Sequence, residues 1–167
     1  MQQLVIGAGS AIAQALIQQS LQQGDSIVAV SRQTSGCEDF SAGSRLRWLQ
    51  CDYTESSIDA VCAELRESGF TFDRVTICNG ILHHESLSPE KRLENVSLDR
   101  LETVMRINAF VPIWWVKALK PVLKASRKSC VITVLSARVG SIADNHSGGW
   151  YAYRASKAAL NMMMKTA

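Results

Sequence analysis

The 167-residue chain predicts an α/β fold built on a doubly wound parallel sheet, and three observations carry that expectation. Apolar runs without alternation recur at Leu4-Val5-Ile6, Ile27-Val28-Ala29-Val30, Val75-Thr76-Ile77-Cys78 and Cys130–Leu135, the pattern of strands covered on both faces. Stretches of helical periodicity separate them, so each strand returns to the sheet by a right-handed crossover. The first apolar run ends in a turn of small residues, Gly7-Ala8-Gly9-Ser10, at the carboxyl end of a strand, where such sheets bind ligands.

Taken in order, residues 3–6 form the first strand. Ile12, Leu16, Ile17 and Leu21 mark a helix that Gly24-Asp25 stops. Residues 27–30 are the second strand, and a polar loop follows from Ser31 to Gly43, with Gly36 inside it. Leu46 to Cys51 is the third strand. Thr54 caps a helix over 55–67 that ends at Gly69. Residues 75–78 are the fourth strand, and the loop after it carries His83, His84 and Pro89. Helices are expected over 98–109 and 112–126. A fifth strand leads into a Gly/Ser-rich loop ending at Gly149, and a last helix carries Tyr153 and Lys157. With no repeat, low-complexity tract or linker, a single domain over 1–167 is expected.

Composition narrows the class. Hydrophobic residues make up 47 % and charged residues 20 %, as in ordinary globular proteins, and no apolar run approaches a membrane span. Met1 runs almost directly into a strand, so no leader is expected. The five cysteines (Cys37, Cys51, Cys62, Cys78, Cys130) form no Cys-x-x-Cys pair, which argues for reduced thiols, a cytoplasmic location and no zinc site. The net charge of +3 hides an asymmetry: residues 1–102 carry 8 basic and 14 acidic side chains, residues 103–167 carry 10 and 1. Lys117, Lys120, Lys124, Arg127 and Lys128 read as cations at a helix C-terminus. No interleaved aromatics suggest a nucleic-acid face.

The chemistry concentrates in three places. Tyr153 and Lys157 are one helical turn apart, so an ammonium beside the phenol would lower its pKa and make it a usable acid or base. Gly7-Ala8-Gly9-Ser10-Ala11-Ile12-Ala13 opens the first helix, whose free N–H groups suit a pyrophosphate. Its spacing fits Gly-x-x-x-Gly-x-Gly with alanines in the last two places. Ser31-Arg32 follows the second strand, where a hydroxyl and a guanidinium suit a ribose 2′-phosphate and favour NADP over NAD. Asp52 either accepts from an adenine amino group or belongs to the cap beside Thr54. His83 and His84, adjacent in the chain, point apart if extended and are not expected to share a metal. Trp114, Trp115 and Met162-Met163-Met164 sit at helical positions as core or subunit contact.

Gly7…Ala13, Asp52, Cys78-Asn79-Gly80, Asn108, Ser136 and Tyr153-x-x-x-Lys157, in this order, resemble the short-chain dehydrogenase/reductase family. Ser136–Ile142 and Gly148–Lys157 look like its C-factor-like branch, concerned with cell-to-cell signalling. The resemblance spans nearly the whole chain and implies a Rossmann-like fold. It implies that Tyr153 is the general acid, that Lys157 lowers its pKa and holds the nicotinamide ribose, and that Asn108 bends its helix and holds a relay water. Ser136 would hydrogen-bond the substrate oxygen. Counting back from Gly140, the family's serine also falls on Ala137, and Ser141 is a substitute hydroxyl. Cofactor contacts fall on Gly7, Gly9, Ser10, Ala11, Ile12, Ser31, Arg32, Asp52, Asn79 and Gly80, with Tyr153 and Lys157. The family's Asn-Asn-Ala-Gly is here Ile77-Cys78-Asn79-Gly80.

Family members continue beyond the last helix with two more strands and a substrate-closing loop, so the resemblance implies a C-terminally incomplete reductase whose fifth strand would form an apolar sheet edge. The expected function is NADP-dependent hydride transfer to or from a small carbonyl or alcohol substrate, by a homo-oligomer. The alternative is a dinucleotide-binding signalling or regulatory protein without efficient turnover.

Overall fold

The computed structural model describes residues 1–33, 45–83, 88–125 and 129–167. The expectations placed on Gly36, Cys37, Gly43, His84, Arg127 and Lys128 fall outside them. The described residues form two compact units, Met1–Cys78 with Lys117–Val134, and Asn79–Val116 with Leu135–Ala167.

The first unit holds five parallel strands: β1 Gln2–Ile6, β2 Ser26–Ser31, β3 Leu46–Gln50, β4 Arg74–Ile77 and β5 Val131–Val134. Their order is β3-β2-β1-β4-β5. The chain therefore winds outward from β1 in one direction and then restarts on its other side, which is the doubly wound arrangement expected. Ile6 pairs with both Val30 and Ile77, so the carboxyl ends of three strands are level beside the first turn. Leu4, Val5 and Ile6 have no exposed surface, as the unalternating run requires. Each such side chain stabilises the fold by about 1.5–3 kcal/mol through burial alone. Helices α1 Ala11–Gln22 and α2 Glu55–Glu67 start where Ser10 and Thr54 accept hydrogen bonds from the N–H groups of Ala13 and Ser57. These two hydroxyls satisfy donors that the helix cannot. Gly24 and Gly69, at φ +84° and +68°, lie just past the helix ends. The polar residue Gln3 is buried in β1, where its amide donates to Ser20 Oγ and Asp25 Oδ2.

The second unit contains α3 Leu98–Met105, the start of α4 Val111–Ala125, and α5 Tyr151–Thr166. The sequence places a break near residues 110–111. Instead the chain stays helical through a π-helical turn at Arg106–Phe110, with the Val111 N–H bonded to the Arg106 carbonyl. Val104, Ala152, Ile81 and Leu101 pack together in this unit. Trp115 is fully buried, whereas Met162 is 65 % exposed. No helix among the described residues is long and apolar enough to cross a membrane.

Candidate active site

In the first unit the turn after β1 has an open surface. Gly7 takes φ +79°, a conformation that glycine adopts at little cost. The Gly7 and Ala8 N–H groups both donate to the Val30 carbonyl at 3.0 and 2.9 Å, fixing the turn against β2. A side chain at Gly9 would meet nothing within 4 Å, and Ile12 is 66 % exposed at the start of α1. The Ala13 N–H is taken by Ser10 Oγ, while the positive end of α1 faces a turn in which Gly9 and Ile12 leave room. The residues present therefore fit the diphosphate of a dinucleotide.

Ser31 and Arg32 close β2. The Ser31 hydroxyl is buried and donates to the Gln33 carbonyl, while Arg32 is exposed. Asp52 Oδ1 accepts from the Thr54 N–H at 2.9 Å and its hydroxyl at 2.7 Å. These two bonds hold the carboxyl below the usual carboxylate range. Of the two roles open to Asp52 in the sequence, the structure displays the one beside the α2 cap.

In the second unit the residues implied by the resemblance converge around Asn108, at the centre of the π-helical turn. Asn108 has no exposed surface. Its Oδ1 accepts from the Ile81 N–H at 2.7 Å, and its Nδ2 donates to the Ile81 carbonyl at 2.9 Å and to Ser156 Oγ at 3.0 Å. The Ser156 hydroxyl in turn donates to the Tyr153 carbonyl at 2.8 Å. Asn108 thus ties the segment after Gly80 to the first turns of α5. Lys157 is 3 % exposed, and its Nζ donates to the Leu135 carbonyl at 2.8 Å. That ammonium also lies 5.8 Å from the centre of the Tyr153 ring, within the range of a cation–π contact. A side chain at Gly80 would come within 3.4 Å of Lys157 Nζ and 3.7 Å of Asn108 Oδ1. Glycine leaves that approach open. Asn79 is 7 % exposed, and its Oδ1 has no hydrogen-bond partner among the described residues.

Two expectations meet a different geometry. The Tyr153 phenol is pushed up by burial rather than lowered, and the Lys157 ammonium gives its hydrogen bond to the Leu135 carbonyl. Burial pushes the Lys157 ammonium down. Ser136 donates to Asn161 Oδ1 at 2.5 Å. Asn161 is two turns past Tyr153 on α5, about 12 Å along the helix axis, so the Ser136 hydroxyl is engaged well away from the first turn. Ser141 is exposed, and its hydroxyl accepts from the Asp144 N–H at 3.3 Å. It lines a shallow cavity of about 180 Å³ with Gly140, Asn145 and Arg154. His83 is exposed, and no group of three or more metal-ligating side chains occurs among the described residues.

Three participants escaped the sequence reading. Ser156 carries no signal of its own in the sequence. The Leu135 carbonyl has no side-chain signature. Glu90 is 3 % exposed, and its carboxylate accepts from the Ala152 N–H at 3.3 Å, across a separation that no local motif marks.

The sequence pattern of short chain dehydrogenases matches residues 2–167, and the chain belongs to that family. Among particular relatives, it is 30 % identical over 160 residues to 1-hydroxy-2-glutathionyl-2-methyl-3-butene dehydrogenase of Rhodococcus sp. (strain AD45), covering 96 % of this chain and 66 % of that protein. It is 40 % identical over 74 residues to the C-signal of Myxococcus xanthus, 44 % of each chain. The chain thus spans between under half and about two thirds of these curated relatives. A short-chain dehydrogenase/reductase of Burkholderia multivorans, solved with bound NADP, superposes with a TM-score of 0.85 at 30 % identity, covering 99 % of this chain and 71 % of that one.

Proposed function

We propose that the chain provides the nucleotide-binding and proton-transfer parts of an NADP-dependent carbonyl reductase or alcohol dehydrogenase. One observation carries the reading: a cation buried to 97 % is held by a neutral carbonyl, over the ring of Tyr153. Burying an ammonium costs several kcal/mol, which one hydrogen bond to a neutral carbonyl offsets only in part, and a phenol that must exchange a proton gives such a cation a use. The bound nicotinamide supplies or accepts the hydride. Tyr153 gives its proton to the carbonyl oxygen or takes it from the alcohol. Lys157 favours the phenolate as that proton leaves, and Asn108 keeps the Gly80 segment and α5 in register. Ser141 donates to the substrate oxygen, because the Ser136 hydroxyl is engaged with Asn161. The opening turn holds the diphosphate through Gly7, Gly9, Ser10, Ala11 and Ile12, and Ser31 with Arg32 receives the 2′-phosphate. Asp52, Asn79 and Gly80 complete the nucleotide contacts. The NADP-bound relative supports the cofactor assignment. We read the active form as a cytoplasmic homo-oligomer, with Met162 at the subunit contact.

Titration of the chain with NADPH and NADH, followed by fluorescence, tests the cofactor. Tighter NADPH binding that Arg32→Ala abolishes is the expected result, and equal binding of both refutes it. Loss of NADPH absorbance with a panel of aldehydes and ketones tests turnover, which Tyr153→Phe should abolish while dinucleotide binding persists. A second reading, a dinucleotide-dependent signalling protein of the C-factor-like branch with little turnover, draws on the 40 % identity to the C-signal. Dinucleotide binding without turnover on any carbonyl would favour it.

A further inference from the structure

We propose that Glu90 is the residue that positions Tyr153, by capping the helix that carries it from a distant loop. The inference rests on the proposed role of Tyr153. Helix α5 begins with Trp150 as its N-cap, in a left-handed conformation at φ 54° and with no side-chain capping bond. Gly148 and Gly149 precede it at φ 62° and 66°, so three successive residues turn in the left-handed sense before the helix starts. An indole cannot accept the hydrogen bonds that the first N–H groups of a helix need. Glu90 supplies them. Its backbone carbonyl accepts from the Trp150 N–H at 2.5 Å, and its carboxylate accepts from the Ala152 N–H, 62 residues further along the chain.

The arrangement is tight. A side chain at Gly149 would come within 3.4 Å of the Glu90 carbonyl. Ala152, the residue before Tyr153, is 2 % exposed and packs in the cluster with Val104. A carboxylate buried to 97 % is costly unless its charge is met, and the positive end of α5 meets it. Glu90 therefore fixes the entry angle of α5 one residue before the phenol. The Trp150 and Tyr153 rings, edge to face at 6.2 Å, are carried on the same turn. Catalytic geometry is sensitive at this scale, since a displacement of about 1 Å costs about a hundredfold in rate.

Glu90→Gln and Glu90→Met are both near-isosteric, but only glutamine keeps an acceptor for the Ala152 N–H. Two measurements separate the outcomes. In amide hydrogen exchange on the full chain, Glu90→Met should lose protection at residues 151–154 selectively, and Glu90→Gln should retain it. In steady-state kinetics, Glu90→Met should lower kcat by about ten- to a hundredfold with the NADPH dissociation constant held within about twofold, and Glu90→Gln should keep kcat within about threefold. Unchanged protection in Glu90→Met, or methionine and glutamine variants with equal kcat, overturns the assignment. If the unmutated chain turns over no carbonyl, the enzyme reading fails on its own, and the exchange measurement still decides whether Glu90 holds the first turn of α5.

Discussion

Replacing Asn108 by alanine tests the hydrogen-bond centre of the second unit. The change leaves the Ile81 N–H and carbonyl without the partners they have at 2.7 and 2.9 Å. A buried group left unpaired costs about 1–3 kcal/mol. Ile81 is half-buried, so water reaches part of the way and the lower end applies, about 1 kcal/mol for each group. Ser156 loses one donor but keeps its bond to the Tyr153 carbonyl, and adds little. Truncating a side chain with no exposed surface leaves a cavity costing about 1 kcal/mol more. The total, about 3 kcal/mol, is a large share of the roughly 5–15 kcal/mol that holds a domain folded. With a urea slope of about 2 kcal/mol per molar, the unfolding midpoint should fall by about 1.5 M. Asn108→Asp is the control, since it keeps an acceptor for the Ile81 N–H but sets an oxygen against the Ile81 carbonyl. It should lose at least half as much at neutral pH. A midpoint for Asn108→Ala within about 0.2 M of the unmutated chain would refute the argument that this side chain holds the segment.

Further outcomes follow from the same structure. A methyl group at Gly140 would lie 2.8 Å from the Lys157 backbone carbon, so Gly140→Ala should cost about 1–3 kcal/mol in urea unfolding. Gly9→Ala has open space and should leave the midpoint unchanged. Lys157→Met removes a buried charge whose ionisation burial disfavours, so thermal unfolding at pH 7 should hold or rise while turnover is lost. A clear fall in midpoint would contradict that account. Burial pushes the Cys62 thiol up to about 12 and Cys78 to about 11, so neither should react with a thiol reagent at pH 8 before unfolding. The unfolded thiols ionise from about pH 9 while the folded ones stay neutral. Stability present below that pH should therefore be lost as the pH rises toward 11, and Cys62→Ala should flatten the decline.

The sheet was readable because parallel strands buried on both faces must be apolar throughout, and Leu4-Val5-Ile6 needs no knowledge of its neighbours to declare itself. The cap at Thr54 was equally local. Two helices are expected over 98–109 and 112–126, yet the chain passes from α3 to α4 without a break. The π-helical turn depends on where the Asn108 amide finds Ile81, and that contact spans the interval between them. The cap of α5 is less local still, since Glu90 and Ala152 are 62 residues apart. The spacing of Tyr153 and Lys157 placed both on one face but said nothing of the Leu135 carbonyl. It is that carbonyl which takes the ammonium's hydrogen bond.

The surplus residue in the turn at Arg106–Phe110 also makes this stretch a natural phase adjuster. Excising one amino acid there would restore an ordinary α-helical ladder at no cost in backbone bonding, yet swing every later side chain of α4 by about 100°. Trp115, now wholly enclosed, would be wheeled toward water. Length changes at this point should therefore be more damaging than most point substitutions, although the backbone would tolerate them.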